Sequence, residues 1–204
     1  MSDYNSIAPV YDRLARFIFG DQLNVAVKEH LISSELELRI LILGGGSGSL
    51  LEDLAVLSPA AKITYVDSSV EMIKMAQKRQ SKNLHIDYVT KSIFTTEYTG
   101  TYDVVIVPFV LDMFNTIEIF ELLNKLKPHM RSGTQLLFTD FVGNQKLFHK
   151  LLISVMYLFF RVTTGCMNTS IPDYDGPLRQ QGFVIEEESY YMSRLVVARK
   201  YRLI

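Results

Sequence analysis

Arg39-Ile40-Leu41-Ile42-Leu43-Gly44-Gly45-Gly46-Ser47-Gly48-Ser49-Leu50 is the stretch whose reading decides the fold. Four apolar residues run into five positions, of which four are glycine. Leu50-Leu51-Glu52-Asp53-Leu54-Ala55 then spaces its apolar side chains as a helix does. A buried strand, a tight loop and a helix follow from that order. Gly44 and Gly46 allow a sharp turn and let a ligand approach the bare backbone. The helix behind the loop aims free N–H groups and a positive dipole end at the same place. The stretch reads as a cradle for a nucleotide-like ligand.

Working outward, Lys62-Ile63-Thr64-Tyr65-Val66-Asp67 is a second strand ending on a carboxylate. Ser68 or Ser69 caps the helix that follows, with Glu71 in its first turn. Asp67 stands about 20 residues beyond the first glycine, the spacing that sets a carboxylate beside a ribose. Leu84–Val89, Tyr102–Val107 and Thr134–Asp140 read as further strands, the second ended by Pro108. Ile117, Phe120, Leu123 and Leu126 mark a helix between the last two of these. Alternating strands and helices predict an α/β, Rossmann-like, doubly wound and mostly parallel seven-stranded sheet. Its ending differs: Phe183-Val184-Ile185 and Leu195–Lys200 predict an antiparallel strand pair joined through Ser189–Ser193.

The 204 residues carry a net charge of -1 and are 48% apolar, which suits one domain with a sizeable core and no general attraction to nucleic acid. Residues 1–38 read as a helical arm, with Leu23, Val27 and Leu31 on one stripe. Residues 144–181 read as a helical insertion or cap. Within it, Leu147–Val162 is apolar all round, so core packing, a homodimer face and a lid over an acceptor pocket all remain open. It is short of the roughly 20 residues that span a bilayer. A single cysteine, Cys166, excludes an internal disulfide and a thiol metal cluster. No metal-ligand spacing stands out. The polar start predicts a cytoplasmic protein.

In order and spacing these segments resemble the class I S-adenosylmethionine-dependent methyltransferases. Ile40–Gly48, Tyr65–Ile73, Val89–Phe94, Tyr102–Leu111 and Leu126–Leu137 each resemble a motif of that family. Ile7-Ala8-Pro9-Val10-Tyr11-Asp12 resembles the arm of the ubiquinone/menaquinone-biosynthesis type. The resemblance implies S-adenosyl-L-methionine as cofactor. Gly44, Gly46 and Gly48 then border its methionine and ribose, and Asp67 holds the ribose hydroxyls. Ser68 and Met72 lie beside the adenine, and Ser92 and Ile93 flank it. Pro108 and Phe109 sit under the methyl donor, with Tyr11 closing the arm. Two positions depart from the family pattern: Ile42 replaces an acidic residue, and Ser92 an aspartate, each a lost hydrogen bond to the cofactor.

Methyl transfer needs a base only where the acceptor holds a proton tightly. Asp112, Asp140 and His149 are the candidates. Each has a plainer alternative: Asp112 and Asp140 as caps of following helices, His149 as an exposed face. His30, His85 and His129 read as surface residues. The expected function is methylation of a small apolar or aromatic acceptor, with Tyr157, Phe159, Phe160 and Arg161 suited to it. The alternatives are a non-catalytic domain of the same fold acting through a partner, and a nicotinamide oxidoreductase. Ser49 and the terminal strand pair speak against the second.

Overall fold

The computed structural model describes residues 21–79, 83–142 and 170–204. Tyr11, His149, Cys166 and the apolar stretch 147–162, with Tyr157, Phe159, Phe160 and Arg161, lie outside the described residues. In chain order the elements are α1 (Gln22–Lys28), β1 (Arg39–Leu43), α2 (Leu51–Leu57), β2 (Lys62–Asp67), α3 (Val70–Arg79), β3 (His85–Thr90), β4 (Val104–Pro108), α4 (Thr116–Leu126), β5 (Gln135–Phe141), α5 (Asp175–Gln180), β6 (Phe183–Tyr191) and β7 (Val196–Leu203).

The seven strands form one sheet in the order β3-β2-β1-β4-β5-β7-β6. β1 to β5 run parallel, and β7 runs antiparallel to both β5 and β6. The α/β sheet with a terminal antiparallel pair is the one expected. The order reverses between β1 and β4, so the mouth of the sheet at their carboxyl ends is where such folds bind ligands.

Strand alternation builds the two cores. Leu41, Leu43, Val105, Val107, Leu136 and Phe138 face α4 and α5, meeting Ile119, Leu122, Leu123, Leu126 and Leu178. Ile40, Ile42, Val104, Ile106 and Leu137 face the other way, onto Leu51 and Leu54 of α2 and Ile73 and Ala76 of α3. Each fully buried Leu or Ile contributes about 1.5–3 kcal/mol before chain entropy is counted.

Four expectations are corrected. The core stripe of α4 is Ile119, Leu122, Leu123 and Leu126, while Ile117 is 71% exposed. Asn115 caps α4 by accepting from the Ile117 and Glu118 N–H groups, and Glu118 accepts in return from the Asn115 N–H, so Asp112 is not that cap. The terminal hairpin turns at Met192–Leu195, sharing Met192 and Ser193 with the expected connection: β6 runs on to Tyr191, and its Glu187 and Glu186 pair with Lys200 and Arg202 on β7. His30 is not a surface residue: its ring lies between the Ala198 carbonyl, 3.2 Å away, and Glu187, at 3.4 Å, pinning the chain after α1 to the hairpin. No helix among the described residues is long and apolar enough to cross a membrane.

Candidate active site

The glycine loop leaves β1 through Gly44, whose N–H donates to the Val66 carbonyl at 2.7 Å. Gly44 has φ +63°, and a Cβ there would lie 2.3 Å from a Val110 methyl. The loop therefore needs glycine both for its turn and for the chain leaving β4 to pack against it. Gly46 has φ +62°, and a Cβ there would meet nothing within 4 Å. This is the open side of the cradle. Gly48 packs tightly against Ala76 of α3.

Asp67 ends β2 with its carboxylate turned onto the loop. One oxygen accepts from the Gly46 N–H and the other from the Ser69 N–H, both at 2.9 Å. An ionised carboxylate has about four lone-pair sites, so each oxygen keeps capacity for another donor. Asp67 is 9% exposed, and burial raises its pKa against the two N–H groups that lower it. Ser69 caps α3 by accepting from the Met72 N–H at 3.2 Å, which leaves Ser68 exposed at the mouth and Met72 buried. Ser92 is half-buried and ties its own turn: its Oγ accepts from the Phe94 N–H at 3.3 Å and its carbonyl from the Thr96 N–H at 2.9 Å. Ile93 is buried in the core cluster that holds Leu43 and Val66.

A second group lies at the mouths of β4 and β5. Phe109 follows Pro108 with φ 52°, a left-handed conformation unusual for an aromatic residue. Its N–H donates to the Thr139 carbonyl at 2.7 Å, and its ring lies 5.2 Å from that of Phe141. With Phe109, the side chains of Leu23, Ile171, Tyr191 and Met192 pack against a buried cluster of Ala26, Phe141, Leu195 and Val196. Asp140 is fully buried on the opposite face of β5 from Phe141, the face that Leu136 and Phe138 share. Its Oδ2 accepts from the Leu111 N–H at 2.9 Å and the Asp112 N–H at 3.2 Å, and its Oδ1 from the Phe141 N–H at 2.8 Å. It thus caps the single 3-10 turn Leu111–Met113, not a helix after Phe141. Asp112 is also buried, at 3% exposure. Burial pushes its pKa up to about 7, against the help that its own and the Met113 N–H give the ionised form. Burial likewise raises Asp140, and the nearby Asp112 charge adds to that. Two such acids cannot both ionise cheaply, so the pair titrates as a unit.

The structure therefore gathers Gly44, Gly46, Gly48, Asp67 and Ser68 at one mouth and Pro108, Phe109, Asp112 and Asp140 at the next. Residues 40–133 match a family model described as "Methyltransferase domain". A malonyl-[acyl-carrier protein] O-methyltransferase of Bacillus cytotoxicus is 33% identical over 145 residues, 70% of this chain and 46% of that protein. Its counterpart in Bacillus cereus is 31% identical over 140 residues, 68% of this chain and 51% of that protein. The chain thus spans about half the length of the curated relatives it matches. In fold it resembles the magnesium protoporphyrin IX methyltransferase of Synechocystis with bound SAH, with a TM-score of 0.69, 19% identity, and 98% and 96% of the two chains covered. Residues 40–133 are a class I, S-adenosylmethionine-dependent methyltransferase domain. The methyltransferase domain fits that cofactor where it can be tested: bare backbone opens at Gly46, and Asp67 has acceptor sites to spare beside it. Tyr65 is the contact that sequence reasoning missed. Its hydroxyl donates to the Gly46 carbonyl at 3.0 Å, and only its place two residues before Asp67, on the same face of β2, could have signalled it.

Proposed function

We propose that the chain is an S-adenosylmethionine-dependent methyltransferase whose acceptor offers an oxygen on a small, largely apolar body. The observation that carries the cofactor half is the Asp67 carboxylate set against the open Gly46 backbone. Gly44, Gly46, Gly48 and Ser68 would line the cofactor, with Asp67 taking the ribose hydroxyls and Met72, Ser92 and Ile93 on the adenine side. Bound S-adenosylmethionine supplies a methyl group already activated by its sulfonium charge. What remains for the protein is to hold the acceptor in line and exclude water, which can supply roughly 7–11 kcal/mol.

The aromatic wall of Phe109 and Phe141, with Leu23, Ile171 and Met192 in the same cluster, supports an apolar acceptor body. The resemblance of residues 7–12 to the quinone-biosynthesis type points the same way. For a hydroxyl acceptor, Asp112 is the described group suited to take the proton, since its pKa of about 7 lets it exchange one at neutral pH. Asp140 acts through it, holding the turn that carries Asp112.

The identity to the malonyl-[acyl-carrier protein] O-methyltransferases favours a second acceptor, a carboxylate on a short acyl chain. A carboxylate oxygen is already ionised and needs no base. Incubation with S-adenosylmethionine and either malonyl-acyl-carrier protein or a panel of phenols and quinols separates the two. A methyl ester or a methyl ether in the mass spectrum names the acceptor class. Calorimetric binding of S-adenosylhomocysteine in the micromolar range, with silence toward NAD, supports the cofactor. Silence toward both would leave a non-catalytic domain acting through a partner.

A further inference from the structure

We propose that Tyr65 is a positioning residue for the cofactor, clamping the glycine loop from beneath so that the Gly46 backbone stays aimed at the site. This rests on the reading that the loop holds S-adenosylmethionine.

The loop carries little of its own support. Beyond Arg39, β1 is wholly apolar (Ile40, Leu41, Ile42 and Leu43), so no polar side chain of that strand reaches its mouth. Both polar holds on Gly46 come instead from β2. Asp67 accepts from the Gly46 N–H at 2.9 Å, and the Tyr65 hydroxyl donates to the Gly46 carbonyl at 3.0 Å. Tyr65 and Asp67 stand two residues apart and so share a face of β2. The two peptide groups flanking Gly46 are thereby fixed from both sides. With φ in the left-handed region and open space around it, Gly46 would otherwise be among the freest positions of the loop.

Tyr65 is built into this place. It is fully buried, and its register partner on β1 is Ile42. Its ring lies 5.4 Å from that of Tyr88 on the neighbouring strand. The ring tip fits under the loop because position 45 has no side chain: a Cβ on Gly45 would lie 2.2 Å from the Tyr65 Cζ and 2.4 Å from its oxygen. Gly45 and Tyr65 are therefore one device. Burial raises the phenol's pKa, so it remains a donor throughout the physiological range. A loop held in its binding geometry before the ligand arrives loses less freedom on binding, which is how a residue that never touches the cofactor raises affinity for it.

The test is calorimetric titration of the whole chain with S-adenosylhomocysteine, before and after Tyr65→Phe. Removing one neutral hydrogen bond should weaken binding about three- to tenfold. Backbone amide exchange should quicken at Gly46–Gly48 and not in β1 or β3. A merely structural Tyr65 would instead loosen all three strands and leave affinity within twofold, and that result overturns the proposal. Gly45→Ala, which drives the ring off the loop, should reproduce the affinity loss. If the unsubstituted protein is folded yet binds no S-adenosylhomocysteine, the cofactor reading has failed and the proposal falls with it. Binding by the parent with an unaltered Tyr65→Phe removes the clamp alone. Should Tyr65→Phe not fold, NMR of the unsubstituted chain decides. A slowly exchanging tyrosine hydroxyl proton close to the Gly46–Ser47 backbone supports the clamp, and its absence overturns it.

Discussion

Asp67 and Asp140 sit at equivalent places, at the carboxyl ends of two parallel strands of one sheet, and both accept hydrogen bonds from backbone N–H groups. They differ in what is left over. Asp67 takes two donors, one on each oxygen, and lies beside the open backbone of Gly46. Asp140 takes three, is fully buried, and has a second acid beside it. A carboxylate with spare acceptor sites beside bare backbone is equipped to bind a ligand's hydroxyls. One surrounded by its own chain holds that chain in shape. Residue type and strand position are the same, so function is decided by how much of the acceptor's capacity the fold itself consumes.

The largest effect expected from this contrast falls on stability. Asp140→Ala leaves three buried N–H groups without an acceptor, at about 1–3 kcal/mol each. Part of that is recovered as the turn relaxes, so the net loss is about 3–5 kcal/mol. For a chain of this size each kcal/mol moves melting by about 2–4 °C. Thermal melting should therefore fall by roughly 6–20 °C. An unmoved transition would break the contrast, because Asp140 would then not be the structural member of the two.

A somewhat smaller effect concerns pH. Burial raises the Asp112 pKa from the ordinary aspartate value of about 3.9 to about 7. Between those values the unfolded chain has lost the proton that the folded chain keeps, so the unfolded state binds fewer protons. Stability then falls as pH rises from about 4 through about 7, by up to about 1.4 kcal/mol per unit, and levels off above. Asp112→Asn keeps the shape and cannot ionise. Its melting temperature should vary less across that window and exceed that of the parent protein at pH 8. Parallel melting curves from pH 4 to 8 would show that folding does not raise the Asp112 pKa.

Much of the Asp67 mouth was legible in the sequence because it is made of short-range signals. An apolar run, a glycine cluster and a carboxylate closing the next strand are contiguous patterns, and strand pairing alone brings them together. The Asp140 mouth was not legible in the same way. Its bonds to Leu111 and Asp112 join residues 29 and 28 apart in sequence, and nothing local marks the turn as short 3-10 geometry. Ile117 misled because a single helical turn leaves two phases open, and Asn115 with Glu118 chose the one that buries Ile119. The hairpin was legible from its two apolar ends, and only its turn falls two or three residues further along, because β6 stays paired with β7 through Tyr191. Tyr65 escaped because a buried tyrosine in a strand reads as core, and only the missing Cβ at Gly45 shows where its hydroxyl goes.

The smallest of these effects in energy is the most informative about function. Asp67→Ala removes the proposed ribose acceptor and frees two protein donors, of which the Gly46 N–H faces open space, against the three buried donors of Asp140. Stability should therefore drop by much less than in Asp140→Ala. Binding should drop by more than stability suggests, since hydrogen bonds to a charged acceptor contribute about 1.5–3 kcal/mol. A loss of about 2 kcal/mol is roughly a thirtyfold rise in the dissociation constant for S-adenosylhomocysteine. Asp67→Asn keeps one acceptor oxygen and should fall between the two proteins. The two carboxylates then separate on independent axes, Asp140 on melting and Asp67 on binding. If Asp67→Ala binds as the parent does while melting far lower, both acids serve only the fold, and the glycine loop must hold its ligand without help from β2.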